Sequence, residues 1–206
     1  HEPAAQEKAR AAGAKGLRIV GSIETGQELV QRFEVDDVFV GLTGNWLSEE
    51  LAVATGGLDV FAADMNCTVP TLGATCAAHG TLLVPVSDVI GVDGAETPVV
   101  FDPANAADQA RQLIDMAIAN FPERQKLSQS LPELREGDAV AGFSTESILG
   151  ALGGSLDPLL DVIKNGTLKG VCGLVSCTTL RDGDQDSHTV AIAHELIKND
   201  VLVLAM

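Results

Sequence analysis

The chain has 206 residues, 46% hydrophobic and 20% charged, the composition of a globular protein with a buried core rather than of a disordered chain. A net charge of −16, with 3% aromatic residues and no tyrosine, excludes a nucleic-acid platform: phosphates are repelled and bases find little to stack on. No apolar run approaches the ~20 residues that span a bilayer, and the mixed charges of the opening residues are unlike a secretory signal.

Residues 2–14 are an Ala-rich mixture with Gln, Glu, Lys and Arg that favours a helix, ended by Gly16. A strand is expected over 17–21, a short helix over 27–33 and a short strand over 35–40. Ser48, followed by Glu49 and Glu50, opens a helix over 48–55 that Gly56 and Gly57 stop. The apolar run 58–65 reads as a strand, and Pro70 suits the first turn of a helix running to about residue 78. Strands are expected at 81–86 and 98–101. Over 105–120, Ala110, Leu113, Ile114, Ala117 and Ile118 recur at helical spacing.

Residues 122–138 lose that periodicity and gain charge and proline, the best boundary in the chain. Beyond it a strand is expected at 139–143, then a helix capped by Ser144 or Thr145 and running to about 152. A helix at 157–164, a strand at 168–177, a helix at 187–199 and a strand at 201–206 complete the pattern. Strands alternating with helices imply an α/β protein with parallel pairing. The expected architecture is two Rossmann-like parallel-sheet units: a domain at 1–124, a linker at 125–138, and a second domain at 139–206 that is truncated. The chain opens on His1 rather than Met and stops inside an apolar run, so a piece of a longer protein is expected.

Chemistry is expected at the carboxyl ends of the strands, where open parallel sheets bind their ligands. Cys177 ends the run 168–177 and faces a polar loop; Cys67 follows the run 58–65; Glu24 follows the first strand. Cys172 lies an odd number of residues from Cys177, so on a strand it faces the other side and is expected in the core. Cys76, inside a helix, is expected to pack. The four cysteines form no CxxC pair and a chain this size needs no disulfide staple, which points to a reducing, cytoplasmic setting. His188 and His194, six apart on one helix, are not the i, i+4 pair of a zinc helix. The run Gly41-Leu42-Thr43-Gly44-Asn45 has the glycines of a phosphate loop but no following Lys-Ser/Thr.

Several motifs stand in order along nearly the whole chain: His1-Glu2-Pro3, Ile19-Val20-Gly21 running into Thr25-Gly26-Gln27-Glu28, and Glu49-Glu50-Leu51-Ala52. They continue with Asp64-Met65-Asn66-Cys67 before Pro70, Ala141-Gly142-Phe143-Ser144-Thr145-Glu146, Gly170-Val171 leading to Cys177, and Gln185-Asp186 before Glu195-Leu196-Ile197. In these motifs the chain resembles the catalytic subunit of the anaerobic, nickel-dependent carbon monoxide dehydrogenases, of the carbon monoxide dehydrogenase and hybrid cluster protein superfamily. The resemblance implies a prismane-like fold whose α/β domains hold a nickel–iron–sulfur cluster. It matches His1 to the histidine on the outlying iron, Cys67 to a cysteine on that side, and Cys177 to a cysteine of the iron–sulfur core.

Where that family has paired cysteines after the first strand, this chain has Ile23 and Glu24, so a carboxylate stands at a ligand position. Hybrid cluster proteins resemble the chain there, with histidine, glutamate and cysteine in this order on an iron–sulfur–oxygen cluster. The resemblance implies an oxidoreductase that converts CO to CO2, works as a homodimer and passes electrons to an iron–sulfur protein. The alternatives are a reductase of hydroxylamine or nitrogen oxides at a hybrid cluster, or a metal-free paralogue that acts as a binding protein.

Overall fold

Among the described residues, three βαβ crossovers organise the chain, each closing a two-stranded parallel ladder. The computed structural model describes residues 1–44, 46, 48–65, 67–127, 129–130, 141–175, 183–184 and 186–205. The chain divides into two compact units, His1–Ala141 and Gly142–Met206. Parallel pairing between strands separated by helices is the α/β architecture expected from the alternation of apolar runs.

The first unit opens with α1 (Pro3–Ala11), Pro3 occupying the first turn, where a missing N–H costs nothing. β1 (Ile19–Ser22) leads directly into α2 (Ile23–Val30), and β2 (Phe39–Thr43) returns parallel to β1. The strand expected at 35–40 begins later because Asp36 builds a turn: its Oδ1 accepts from Val38 N and Phe39 N, both at 2.8 Å. The ladder steps from Ile19–Phe39 to Gly21–Leu42, so β2 carries one extra residue. Gly41, at φ 110°, absorbs it as a bulge. The glycines read as a possible phosphate loop thus begin within a strand.

α3 (Glu49–Ala54), β3 (Val60–Ala63), α4 (Leu72–His79) and β4 (Leu82–Pro85) form the second crossover. Its core is Val53, Ala63, Leu72, Cys76 and Leu83, one cluster drawn from all four elements. Cys76 packs there, as its position inside a helix suggested. Gly80, at φ 71°, caps α4 in the left-handed conformation and lets the chain turn at once into β4. Residues 98–101 run beside β4, with Val99 N donating to Pro85 O (2.9 Å) and Phe101 N to Val86 O (3.0 Å), without a regular strand.

α5 (Ala106–Arg124) continues past Pro122. Side chains on its last turns hold it: Asn120 Nδ2 donates to Asp59 O (2.8 Å) and Gly80 O (2.7 Å). Arg124, 4% exposed, pairs through Nε with Asp59 Oδ1 (2.5 Å) and donates to Gly56 O (2.5 Å). These bonds tie the helix end to the loop entering β3, and removing the guanidinium would strand a half-buried carboxylate.

The second unit contains α6 (Thr145–Ala151), α7 (Asp157–Lys164), β5 (Gly170–Leu174), α8 (Ser187–Lys198) and β6 (Val201–Ala205). Ser144 caps α6, its Oγ accepting from Ser147 N at 3.2 Å, as expected. β5 and β6 pair in parallel from Gly170–Val201 to Leu174–Ala205. Cys172 is half-buried rather than core, because none of α6, α7 and α8 carries a buried residue among the described positions. Residues 139–140 and 176–177 of two expected strands lie outside the described residues.

Gly73, in the first turn of α4, faces the Asp93 carbonyl so closely that a Cβ would collide with its oxygen, whereas Gly91 has open space around it. Gly73→Ala is expected to destabilise the chain by about 1–3 kcal/mol in urea denaturation, the usual range for overpacking. Gly91→Ala should be near neutral; equal midpoints for the two variants would contradict this packing.

Candidate functional site

The carboxyl ends of β1 and β3 meet through side chains that follow each strand. Gly21 and Gly26 make the first half of this possible: a Cβ on Gly21 would lie 2.5 Å from the Gly26 Cα. Backbone therefore rests on backbone, and α2 starts on the strand end with no intervening loop. Glu24 accordingly stands in the first turn of α2, which begins at Ile23 and not at residue 27 as expected.

Both strand ends turn through left-handed residues, Ile23 at φ 54° and Cys67 at φ 53°. The other described non-glycine residues of this kind are Asp186 and Asp200, whose short polar side chains suit the conformation. For a β-branched isoleucine and a cysteine it costs about 1–2 kcal/mol each, so the surroundings must hold both turns in place.

Those turns bring Glu24 and Cys67 together. Cys67 Sγ donates to Glu24 Oε1 at 3.5 Å. Beside them Thr25 Oγ1 donates to Asp64 Oδ2 at 2.7 Å, a second bridge from α2 to the loop after β3. Within that loop Thr68 Oγ1 donates to Asp64 O at 2.9 Å. Val69 N donates to Glu49 Oε1 at 3.1 Å, which joins the loop to α3. Cys67 is half-buried and Glu24 exposed, so the pair is open to solvent on the carboxylate side.

Behind the pair the chain becomes dry. Glu49 is 3% exposed, and burial lifts its carboxyl above the ordinary value of 4.5; the bond from Val69 N opposes the rise, and the charges of Glu50 and Glu24 add to it. The Cys76 thiol is pushed up to about 11 by burial and then by Glu49 and Glu50, which keeps it protonated and inert.

Of the four expected ligands, Glu24 and Cys67 are brought together. His1 Nε2 pairs with Asp36 Oδ2. Asp36 caps the amino end of β2, so this pair sits at the opposite end of the β1–β2 ladder from Glu24. Cys177 lies outside the described residues. Among the described residues, no group of three or more His, Cys, Asp or Glu side chains is gathered to hold a metal ion. Sequence reasoning passed over Glu49 as a residue of this region: an acid in a helix's first turn reads the same whether solvated or buried. Nothing local marked it except the glutamate pair preceding an apolar run.

A model of the Prismane/CO dehydrogenase family matches residues 2–206. Carbon monoxide dehydrogenase 2 of Methanosarcina mazei is 55% identical over 205 residues, covering 100% of this chain and 32% of that protein. Carbon monoxide dehydrogenase of Archaeoglobus fulgidus is 54% identical over 201 residues, covering 98% of this chain and 32% of that protein. A nickel-free crystal structure of carbon monoxide dehydrogenase from Thermococcus sp. AM4 superposes with a TM-score of 0.75 at 32% identity, over 99% of this chain and 31% of that one. The chain thus spans about a third of the length of the relatives it matches. Among the described residues no helix is long and apolar enough to cross a membrane.

Iodoacetamide at pH 8 is expected to label Cys67 ahead of Cys76, read peptide by peptide in a mass spectrometer; labelling of Cys76 at an equal rate would show that its burial is not maintained. Glu49 supplies a pH test. A carboxyl lifted by burial binds its proton more tightly in the folded chain, so stability falls as pH rises from 4.5 through the folded value. Glu49→Gln removes that loss while keeping an acceptor for Val69 N. Its stability relative to the unchanged chain should therefore grow with pH above 4.5 and then level off. A difference that stays flat with pH would refute the assignment of a buried acid.

Proposed function

Since the chain belongs to the Prismane/CO dehydrogenase family, we propose that it forms the ligand-bearing α/β portion of a carbon monoxide dehydrogenase-like oxidoreductase. In this reading Glu24 and Cys67 help to hold a nickel–iron–sulfur cluster. The observation that carries it is the contact of the Cys67 thiol with the Glu24 carboxylate where β1 and β3 end. The resemblance in sequence adds His1 and Cys177 as further ligands.

The donor pair fits a metal. Ligands bound about 2.0–2.3 Å from a four-coordinate ion stand roughly 3.5 Å apart along the edge of their tetrahedron. The Cys67–Glu24 separation of 3.5 Å is of that size. A thiol must lose its proton before it can ligate; Cys67 directs that proton to Glu24 Oε1, and Glu24, being exposed, would release it to solvent before binding as a carboxylate. The bridge from Thr25 to Asp64 keeps α2 and the loop after β3 from drifting apart while that proton leaves. Cys76, protonated and buried beneath, does not compete for the metal.

When bound, such a cluster supplies a centre at which CO and water become CO2 and two protons, with two electrons taken up. The chain's own contribution is the choice and spacing of donors, soft at Cys67 and hard at Glu24. On the same reading the enzyme is a cytoplasmic homodimer that hands its electrons to an iron–sulfur protein.

The carboxylate favours one second reading. An oxygen donor directly against the thiol suits an iron–sulfur–oxygen cluster, with hydroxylamine or a nitrogen oxide as substrate. Anomalous scattering at the nickel and iron edges, on holoenzyme prepared without oxygen, separates the two. Nickel and iron beside Cys67 supports CO chemistry; iron alone supports the hybrid-cluster reading; neither metal rejects both.

A further inference from the structure

We infer that Glu49 is a positioning residue: its carboxylate ties the loop after β3 to the start of α3 and so holds the Cys67 sulfur against Glu24. This inference rests on reading Glu24 and Cys67 as the working pair.

Cys67 occupies a left-handed conformation that a cysteine does not choose unaided. Something outside the residue must fix the chain on either side of it. On the near side Thr68 folds back onto Asp64 O, a bond internal to the loop that cannot set where the loop sits. Thr25 reaches Asp64 from α2, which is itself part of the pair's other half. On the far side Val69 N meets Glu49 Oε1, and Val69 O accepts from Leu72 N at 3.1 Å, where α4 begins. Glu49 thus provides an anchor from α3, an element that supplies neither donor.

That anchor is rigid. α3 is fastened into the core by Val53, fully buried one turn further along, in the cluster that includes Leu72 and Cys76. A displacement of Glu49 would have to displace the core. Glu49 is also the one acidic residue buried among the described positions. Burying a carboxylate to satisfy a single backbone N–H is an expensive choice where a neutral acceptor would serve. Its value lies in a strong, charge-assisted bond of fixed direction to the residue two positions beyond the thiol.

The test uses the reduced, metal-free full chain and reads Cys67 alkylation by iodoacetamide, site by site, in a mass spectrometer. The unchanged chain, Glu49→Gln and Glu49→Ala are each compared with and without Glu24→Ala, which removes the acceptor altogether. A thiol held against Glu24 should change its alkylation rate about two- to tenfold when that carboxylate is removed, the range of one hydrogen bond. The change is expected in the unchanged chain and in Glu49→Gln, whose amide oxygen still accepts from Val69 N, and is expected to vanish in Glu49→Ala. An undiminished Glu24 effect in Glu49→Ala overturns the inference. Should Glu49→Ala fail to fold, Glu49→Asp, one methylene shorter, takes its place: a reduced Glu24 effect supports positioning and an unchanged one overturns it. No metal enters this assay. An undiminished Glu24 effect in the Glu49 variants therefore leaves the ligand reading standing. No Glu24 effect in the unchanged chain overturns the contact on which both rest, and holoenzyme lacking both iron and nickel removes the ligand reading and not the clamp.

Discussion

Glu24 and Cys67 stand 43 residues apart in the chain, and their contact depends on how closely two backbones approach at Gly21 and Gly26. If either glycine carried a side chain, α2 would lift from the end of β1 and take Glu24 with it. Once α2 is seated, Ile23 must turn through a left-handed conformation to present the carboxylate. Cys67 makes the same turn at the end of β3. Among the described non-glycine residues of the first unit, left-handed backbone falls at Ile23 and Cys67, the two positions that bring the proposed donors together. This is the distribution expected where local backbone cost is retained for chemistry and offset by packing elsewhere.

The donors differ in kind. A thiolate is soft and polarisable, and a carboxylate is hard. A site built from both favours a metal centre that presents sulfur-rich and oxygen-rich faces, or an outlying ion that accepts either. The acidic surroundings act in the same direction. The charges of Glu50 and Glu24 both bear on Glu49 at the start of α3, and a cation bound there would relieve that repulsion. Cys76, buried and protonated, packs in the core while Cys67 is half-buried, so burial separates two thiols of one sequence into a packing residue and a candidate donor.

Much of this was legible in the residues. The apolar runs announced the ladders, and the switch from apolar to polar at the end of 58–65 marked Cys67. What the residues hid was tertiary. Gly26 reads as a breaker in a loop, yet it sits inside α2 because only glycine permits the approach to Gly21. Pro122 reads as the end of α5, yet Asn120 and Arg124 bind the last turns to Asp59, Gly56 and Gly80. Asp36 reads as part of a strand, yet its side chain caps a turn. Cys172 sits within an apolar run but is half-buried, since burial belongs to the layers around a strand and not to the strand. Glu49 could not be singled out at all, because solvated and buried acids at a helix start share one sequence signature.

The account turns on a thiol and a carboxylate sharing one ion. A crystal structure of the holoenzyme, prepared without oxygen, measures this directly through the separation of Cys67 Sγ from Glu24 Oε1 and the identity of the atom nearest both. The account predicts that they remain within about 4 Å of each other, with a single metal ion bound to both. Sulfur and carboxylate bound to separate ions, or a carboxylate turned to solvent with no metal contact, would contradict it.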